Sequence, residues 1–398
     1  MNPAPHADVI VIGLGAIGSA VAWQLARRGA RVVGIDRFTP PHEHGSSHGA
    51  SRITRLAIGE GEAYVPLVQR SHQLWRELEA AAGCRLMQRT GGLVIGARDG
   101  RARHHGQNNF VQRTLNAARR FGIAHEMLGR DEVLRRFPQF LLRDEEEAYF
   151  EPESGLLRPE DCVSAMLQAA RNAGALLRFD EPVRSIDSSA GGVSVTTRCG
   201  RVHGAKAVLC AGAWTPALLA ATSAGAALAP KMKVMRQLMC WFATDEPALY
   251  SPECCPIYIW LHGPRAEDLV YGFPQADSRA GIKLGSEQYA ASTDPDLVER
   301  EVSDAEVREV HARHVAGRLR AVSARRVHAA TCLYTVTPDM GFIVDRHPAH
   351  EPVTLVSACS GHGFKHSAGL GEALAQGLLG EPVAVDLSVF ALNRFNPA

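Results

Sequence analysis

The stretch DVIVIGLGAIGSAVAWQLARRGARVVGID, residues 8–36, decides the fold. An apolar β-branched run precedes three glycines spaced as GxGxxG, a helix-like apolar segment follows them, and a second apolar strand ends at Asp36. In a strand–helix–strand unit, Gly13 permits the tight turn, Gly15 lets the backbone approach a pyrophosphate, and Gly18 lets helix and strand pack closely. The N–H groups at the start of the helix attract phosphate, and Asp36 stands where a carboxylate binds ribose hydroxyls. The stretch predicts a dinucleotide site, but it does not separate FAD from NAD.

The composition is that of an ordinary globular protein. Its 398 residues suggest one large domain or two intertwined ones, and 46% hydrophobic against 21% charged residues excludes disorder. The formal net charge of +1 gives no field that attracts nucleic acid or a membrane surface, so we predict neither as a partner. Nine cysteines without zinc-like spacing, and no signal peptide, predict a cytoplasmic protein without a metal. Pro216 interrupts the uncharged stretch 207–230, which we interpret as strand, turn and helix.

Motifs beyond Asp36 carry a more specific likeness. They are PPHEHGSSHGASRITR (40–55), GEGEAYVPL (59–67), FEPESGL (150–156), VLCAGAW (208–214), YGFP (271–274), CLYTVTPD (332–339) and SGHGFK (360–365). Together they resemble the monomeric sarcosine oxidase and N-methyltryptophan oxidase family, which are FAD enzymes with the D-amino-acid oxidase-like fold. The likeness runs over nearly the whole chain. It implies an α/β protein in which a mixed β-sheet substrate domain is inserted into a Rossmann-like FAD-binding domain.

The order of the motifs predicts how these two domains share the chain. The motifs for the cofactor come from three separated regions, so we expect the FAD-binding domain to comprise residues 1–87, 151–228 and 329–398. The substrate domain would comprise residues 88–150 and 229–328. Within the latter, the aromatic and apolar runs 238–242 and 257–260 predict strands. The polar segment 101–120 has helical spacing and predicts a solvent-exposed helix.

The resemblance also predicts how FAD is held. A lone cysteine is usually a small core residue, but the matching cysteine of the family forms a thioether with the flavin 8-methyl carbon, so we expect covalent FAD at Cys332. His48 and Arg52 match residues that lie against the flavin ring. The predicted cofactor-binding residues are Gly13, Gly15, Gly18, Asp36, Ser46, His48, Arg52, Cys332, Thr335, Gly361, Gly363, Phe364 and Lys365.

Four further positions concern the substrate and oxygen. An arginine can bind a carboxylate bidentately and a lysine acts as a point charge; the family's matching pair, Arg55 and Lys365, binds the substrate carboxylate. Lys283 alternates with apolar neighbours, as a strand lysine facing water does, but the resemblance places it beside flavin N5, where a cation favours oxygen reduction. Tyr271 matches a tyrosine of the substrate cavity. The predicted catalytic residues are Lys283, His48, Arg52 and Tyr271.

The sequence departs from the family pattern at the substrate side. Glu287 stands where the family usually has a histidine, and residues 55–61 lack a histidine and a tyrosine of the family motif. If Glu287 faces the cavity, we expect it to contribute to substrate binding and to favour a larger or cationic substrate over plain sarcosine. A side chain that points to solvent is equally compatible with the sequence.

The resemblance implies oxidation of a secondary amino acid to an imine, which water hydrolyses, with O2 reduced to H2O2. The expected partners are therefore a small amino-acid substrate and O2, and we expect a monomer. A cyclic imino acid such as pipecolate or proline, or a glycated amino acid, suits the same machinery. A flavin dehydrogenase with another electron acceptor remains an alternative, as does a nicotinamide-dependent dehydrogenase, in which Cys332 would have no purpose.

Overall fold

The computed structural model describes residues 6–101, 103–221, 225, 227–277 and 279–395. The strands, in chain order, are β1 (His6–Ile12), β2 (Val32–Ile35), β3 (Arg52–Thr54), β4 (Met87–Arg89), β5 (Gly92–Ala97), β6 (Arg103–His104), β7 (Gln107–Asn108), β8 (Glu126–Gly129), β9 (Glu146–Glu151), β10 (Gly155–Leu157), β11 (Leu176–Arg178), β12 (Val183–Ser189), β13 (Gly192–Thr197), β14 (Gly200–Leu209), β15 (Lys233–Thr244), β16 (Ile257–Leu261), β17 (Leu269–Gly272), β18 (Ile282–Gly285), β19 (Val322–Val336), β20 (Ile343–His347) and β21 (His350–Ser357). The α-helices are α1 (Ala16–Ala26), α2 (Tyr64–Ala82), α3 (Phe110–Arg120), α4 (Arg130–Arg136), α5 (Pro159–Asn172), α6 (Thr215–Ala220), α7 (Asp304–Val310) and α8 (Ser367–Leu379).

The first large sheet is built around β1. Its order is β11-β2-β1-β14-β13-β12, and β21 joins it by pairing with β14 and β20. β1 runs parallel to both β2 and β14, with Val9 opposite Val32 and Ile10 opposite Ala207. Strands that are buried on both faces are typically rich in β-branched residues, as β1 and β2 are. The predicted strand–helix–strand unit is therefore present as β1, α1 and β2.

Helices α1, α2, α5 and α8 pack in one buried apolar cluster with residues of β1 and β2. The contact between α1 and α8 is close because α8 contributes a glycine: a Cβ at Gly371 would lie 2.6 Å from the Cβ of Ala20. α1 is buried almost all round, so its sequence is apolar on every face rather than amphipathic. This packing fixes the start of α1 beside the ends of β1 and β14.

The second large sheet has the order β19-β15-β18-β17-β16-β5-β9-β8. It is mixed, because β16 and β5 are parallel while β15 pairs antiparallel with β18 and β19. The predicted strands 238–242 and 257–260 lie within β15 and β16. The long strand β19 crosses position 329, where the sequence places a domain boundary. The division of the chain into two domains at the expected positions stays a prediction.

Two predictions about single segments have different outcomes. The stretch 207–230 forms the end of β14, a short 3₁₀ helix and α6, as expected, although residues 222–224 and 226 lie outside the described part. The expected exposed helix at 101–120 is only partly correct. Residues 103–108 form the hairpin β6–β7, which buries His104 and His105, and the helix begins at Phe110. Among the described helices, none is long and apolar enough to cross a membrane.

Candidate active site

The glycine-rich turn between β1 and α1 shows what each glycine does. Gly13 has φ +86°, and a Cβ there would lie 2.5 Å from the carbonyl oxygen of Cys210. A Cβ at Gly18 would lie 1.7 Å from the carbonyl oxygen of Gly13. The protein itself therefore requires these two glycines. A Cβ at Gly15 would meet, within 4 Å among the described residues, only Ser47 Oγ at 3.5 Å, so the space above Gly15 remains open.

A cavity of about 360 Å³ begins at this turn. Its lining includes nine predicted cofactor residues, namely Gly13, Gly15, Asp36, Ser46, Arg52, Thr335, Gly361, Gly363 and Phe364. Asp36 accepts hydrogen bonds from the backbone N–H of Leu14, at 2.6 Å, and of Phe38, at 2.9 Å. Burial raises the pKa of Asp36. Strands of both large sheets contribute, because Ile12 belongs to β1 and Thr335 to β19.

This cavity suits an elongated dinucleotide. The open space over Gly15 lies at the N-terminus of α1, where backbone N–H groups attract phosphate. Thr335, which also lines the cavity, is 1% exposed, and its Oγ1 has no hydrogen-bond partner within the described chain. A buried polar atom without a partner costs free energy, so the cavity provides a hydrogen-bonding group that a ligand can satisfy. The residues present therefore fit the predicted FAD.

Cys332 lies beside Arg52 at the wall of the cavity. The thiol is unpaired and 2% exposed. Arg52 Nη2 lies 3.5 Å from Cys332 Sγ and donates a 2.8 Å hydrogen bond to the carbonyl oxygen of Ser46. The sulfur itself is not among the lining groups, but Arg52 and Ser46, which contact it, both are. The structure therefore brings Cys332 next to the space predicted for the flavin.

Two further predicted residues are buried at the loop that precedes β3: His48 belongs to this loop, and Lys283 contacts it from β18. Lys283 Nζ donates to the carbonyl oxygens of Gly49 and Ser51, at 2.6 and 2.7 Å, and lies 4.6 Å from the centre of the Phe273 ring. Burial, and then Arg52, lower the pKa of Lys283 well below its usual value. Burial also lowers the pKa of His48 to about 3. Neither side chain lines this cavity or the smaller cavity that adjoins it.

A second cavity, of about 60 Å³, adjoins the first. The two share the lining residues Arg52, Tyr334, Gly361 and Phe364. The smaller cavity is otherwise lined by Ile53, Arg55, Glu60, His104, His105, Ile259, Tyr271, Phe273, Glu287, His362 and Lys365. The predicted substrate residues Arg55, Lys365, Tyr271 and Glu287 therefore meet around one space. In this space, which we term the substrate pocket, Tyr334 Oη lies 3.5 Å from Tyr271 Oη.

A buried ion-pair network occupies one side of the substrate pocket. Arg55 Nη2 donates to Glu60 Oε2 at 2.5 Å, and Lys365 Nζ lies 3.8 Å from Glu60 Oε1. Burial alone would raise the pKa of Glu60, but Arg55 and Lys365 outweigh it and hold the pKa well below its usual value. Burial lowers the pKa of Lys365 to about 8. Arg55 Nε and the spare protons of Lys365 leave donors for an incoming carboxylate.

Glu287 faces the substrate pocket and does not point to solvent. Its Oε1 lies 3.2 Å from His105 Nε2, and its Oε2 accepts a 2.7 Å hydrogen bond from Tyr289. Burial alone would raise the pKa of Glu287, but His105 and His104 outweigh it and lower the pKa to about 2. The expectation of a cationic substrate presupposed an unpaired carboxylate. The structure pairs that carboxylate within the protein.

Sequence reasoning missed four residues of this cluster: Glu60, His104, His105 and Tyr289. Glu60 lies in a motif that the sequence analysis had identified, residues 59–67, so its position near Arg55 could have been predicted. No sequence pattern marks the two histidines. Ligand atoms of Glu60, His104 and His105 lie within 4.8 Å of one another. However, Arg55 and Lys365 already neutralise Glu60, and like charges repel, so this trio is a poor cation site.

The chain is similar to known proteins along its whole length. A family model described as FAD dependent oxidoreductase matches residues 8–377. Monomeric sarcosine oxidase from Streptomyces avermitilis is 38% identical over 397 residues, which cover 99% of this chain and 99% of that protein. N-methyl-L-tryptophan oxidase from Yersinia pestis (strain Pestoides F) is 33% identical over 399 residues, which cover 98% of this chain and 99% of that protein.

Solved structures have the same architecture. The structure of NikD, described as an unusual amino acid oxidase essential for nikkomycin biosynthesis, matches with a TM-score of 0.80 at 25% identity and covers 97% of both chains. Glycine oxidase from Geobacillus kaustophilus matches with a TM-score of 0.76 at 21% identity, covering 98% of this chain and 99% of that one. The predicted α/β fold class, with a Rossmann-like sheet and a second mixed sheet, is confirmed.

Proposed function

The chain belongs to the family of FAD-dependent oxidoreductases, and from this premise we propose that it is an oxidase of secondary amino acids of the N-methyl type. It acts on CH–NH donors and uses O2 as acceptor. The observation that carries the proposal is the junction of the two cavities. A pocket with Arg55 and Lys365 adjoins, at Arg52 and Tyr334, a space that suits FAD. A substrate held by its carboxylate there would present its C–H bond to the cofactor.

When bound, FAD supplies the acceptor for the hydride equivalent of the substrate and transfers the two electrons to O2, which gives H2O2. The residues of this chain hold the reactants. The N-terminus of α1 and Gly15 receive the pyrophosphate, and Asp36 receives the ribose. Arg52 and Thr335, which line the cavity, would contact the flavin. In its protonated form, Lys283 would stabilise the negative charge that develops as oxygen is reduced.

The substrate is bound through its carboxylate. Lys365 Nζ donates to the carbonyl oxygen of His362 at 2.9 Å and keeps further protons for the ligand. Arg55 shares its guanidinium with Glu60 and offers Nε. The amine enters neutral and the C–N bond is oxidised to an imine. Water then cleaves the imine, which gives the demethylated amino acid and formaldehyde when the substrate is an N-methyl amino acid.

We propose that FAD is attached covalently through Cys332. What supports this is the position of Sγ, 3.5 Å from Arg52 Nη2 and next to Ser46 and the cavity wall. Acid precipitation of the wild-type protein should carry the yellow colour into the pellet, whereas the variant Cys332→Ser should release it. As a control, Cys359→Ser changes another cysteine of the cavity and should keep the flavin in the pellet. Release of FAD from the wild-type protein would disprove the attachment.

We also propose that the protein works as a monomer in the cytoplasm. The word monomeric in the names of its relatives supports the first part. The second part is supported by the cysteines, all nine of which are described and unpaired, since thiols stay reduced in a reducing compartment. Size-exclusion chromatography with light scattering tests the oligomeric state, and a dimer mass would contradict it.

The decisive experiment is anaerobic reduction of the purified holoprotein. Sarcosine and other N-methyl amino acids should bleach the flavin absorbance, and air should restore it with stoichiometric H2O2. Proline, pipecolate and a glycated amino acid are the comparison substrates, and an artificial electron acceptor tests for a dehydrogenase. If no carboxylate-bearing secondary amine bleaches the flavin, the proposed function is wrong. If bleaching occurs but the artificial acceptor restores the flavin absorbance and O2 does not, the oxidase assignment is wrong.

A further inference from the structure

The hairpin β6–β7 contributes two side chains to the lining of the substrate pocket, His104 and His105, and His105 lies at the turn of the hairpin. His105 and Gly106 are the two residues that connect the strands, and both have left-handed φ values, +46° and +73°. This is the pattern of a type I′ hairpin turn, in which glycine is the favoured residue. A non-glycine residue at positive φ is uncommon, and such residues cluster at functional sites. Here the unusual backbone directs the imidazole of His105 inward, where it is 5% exposed.

Two carboxylates hold this imidazole from opposite sides. His105 Nε2 lies 3.2 Å from Glu287 Oε1, and His105 Nδ1 lies 3.4 Å from Glu60 Oε1. Burial alone would lower the pKa of His105, but Glu287 and Glu60 outweigh it and raise the pKa to about 9. His105 is therefore an imidazolium at neutral pH. The three side chains form a buried bridge across the pocket, which we term the His105 bridge.

Neighbouring side chains prevent the His105 bridge from moving out of the pocket. His104 lies behind His105, with their ring centres 3.7 Å apart, and Phe110 packs edge-on against His104 at 4.5 Å. On the far side, Tyr289 donates to Glu287 Oε2 and fixes that carboxylate. The wall of the pocket is thus supported from two elements, the β6–β7 hairpin and the segment after β18. A larger substrate would have to break buried ion pairs, which is costly.

The space that this wall leaves is small. One water molecule needs about 10–15 Å³ of such volume, so a pocket of about 60 Å³ accommodates roughly four to six non-hydrogen atoms. The charges suggest a matching ligand. Glu60 is shared by Arg55 and Lys365, and Glu287 is paired with His105, so the remaining donor capacity at Lys365 suits one carboxylate.

We propose that His105, held by Glu60 and Glu287, is a specificity-determining residue that closes the substrate pocket and restricts it to secondary amines with one carboxylate and about the size of N-methylglycine. The inference rests on the proposed function and deepens it by naming the substrate class. It reverses the expectation that Glu287 favours a larger or cationic substrate, because Glu287 acts as a partner of His105. N-methyltryptophan and glycated amino acids would be excluded by size.

The test compares one small and one bulky substrate in matched variants. His105→Gly removes the imidazole and suits the left-handed backbone, and His105→Gly combined with Glu287→Gln also removes the negative charge that was paired with His105. The control is Gln107→Ala in the same hairpin, whose side chain does not line the pocket. We expect wild-type protein and control to prefer sarcosine to N-methyl-L-tryptophan. In the double variant, the ratio of kcat/KM for the bulky to the small substrate should rise roughly tenfold or more.

The outcomes separate this inference from the proposed function. If wild-type protein oxidises no N-methyl amino acid, both fail. If wild-type protein oxidises sarcosine but the ratio is unchanged in the variants, or if it already prefers the bulky substrate, the role of His105 is wrong while the proposed function stands. Where His105→Gly does not fold, His105→Asn keeps a residue that tolerates left-handed φ. The dissociation constant of a bulky aromatic carboxylate, measured by the shift in the flavin spectrum, is then the second readout. It should be lower in His105→Asn than in the wild-type protein.

Discussion

Single residues in the substrate pocket show how charge can be concentrated in a protein that is nearly neutral overall. Arg55, Glu60 and Lys365 come from two distant parts of the chain and are all buried. Buried charges are tolerated only when they are paired, and Glu60 serves this purpose while no substrate is bound. A substrate carboxylate therefore competes with Glu60 for the same donors. Binding should depend strongly on whether Lys365 carries its charge.

The first prediction concerns pH. Because burial lowers the pKa of Lys365 to about 8, the side chain is a cation below pH 8 and becomes neutral as the pH rises through this value. Propionate, a carboxylate without an amine, should therefore bind more weakly at pH 10 than at pH 7. Loss of one charge-assisted interaction, about 1.5–3 kcal/mol, corresponds to roughly 10–100-fold in Kd. Titration of the flavin spectrum with propionate at several pH values measures this.

Two variants assign the pH effect. Lys365→Met should bind propionate weakly at every pH, without a step near pH 8. His105→Asn should retain the step, because it leaves Lys365 in place. A wild-type Kd that is the same at pH 7 and pH 10 would show that Lys365 does not bind the carboxylate.

The second prediction concerns Lys283. The variant Lys283→Met removes the buried amino group, so we expect reoxidation of the reduced holoprotein by O2 to slow by roughly 10²–10³-fold, the effect of losing one charge-stabilising donor. Anaerobic reduction by sarcosine should change far less. Stopped-flow absorbance measures both steps. Ser51→Ala serves as the control, because it removes one 3.1 Å contact of Lys283 Nζ but keeps the charge. Equal slowing in both variants would indicate that Lys283 only fixes the loop.

At the level of single residues, the sequence predicted part of the site. Arg55, Lys365 and Tyr271 lie in motifs with family-specific neighbours, and the structure brings them to one pocket. His105 had no such signal, because its role arises from a hairpin tip, and a histidine beside a glycine is common in ordinary turns. Glu287 was singled out, but its effect could not be deduced. The partner that neutralises it comes from a segment far away in the sequence.

Among the elements, the β1–α1–β2 unit was the best determined by its sequence. Its periodicity changes from strand to helix to strand within 29 residues, and the glycines mark the turn. The β6–β7 hairpin is the opposite case. Its strands are two residues long, too short for any periodicity, and the helical spacing of the polar segment 101–120 suggested a solvent-exposed helix. Short elements of this kind are defined by tertiary contacts, so local pattern cannot reveal them.

The third prediction separates two glycines of α1 and its preceding turn. Gly18→Ala should lower the free energy of unfolding of the flavin-free protein by about 1–3 kcal/mol, as overpacking does, because the new methyl group would meet the Gly13 carbonyl oxygen. Gly15→Ala should leave that stability unchanged but abolish FAD binding. Both changes are made in a Cys332→Ser background so that FAD can be removed. Urea unfolding and FAD titration measure the two effects. Normal FAD affinity in Gly15→Ala would show that the pyrophosphate lies elsewhere.

The whole molecule is organised around a cavity to which both large sheets contribute. Ile12 and Ile35 of the first sheet line it from one side, and Tyr334 and Thr335 of β19 line it from the other. The sequence anticipated the two sheets from the order of the motifs. It did not show that β19 would run as one strand of 15 residues from the mixed sheet to the cofactor side.

The fourth prediction follows from this shared cavity. A ligand that contacts both sheets binds the folded state alone, so FAD should stabilise Cys332→Ser protein by about 2.7 kcal/mol when present at 100 times its Kd. The Tm of this variant should therefore rise with added FAD. Wild-type protein, with FAD attached, should have a Tm that does not depend on added FAD. Differential scanning calorimetry makes the comparison, and a wild-type Tm that rises with FAD would argue against the covalent bond.

The pairing of β14 with both β1 and β21 has a consequence for biosynthesis. Strand β1 is complete once residue 12 has been added and can pair early with β2, but its other neighbour β14 is not complete until residue 209 has been added, and β21, which pairs with β14, not until residue 357. The nascent chain must therefore keep one edge of a very apolar strand unpaired until about half of the protein has been translated. Such segments are prone to aggregate. We expect the yield of soluble protein to depend on chaperones and on slow translation of the middle of the message more than on the supply of FAD.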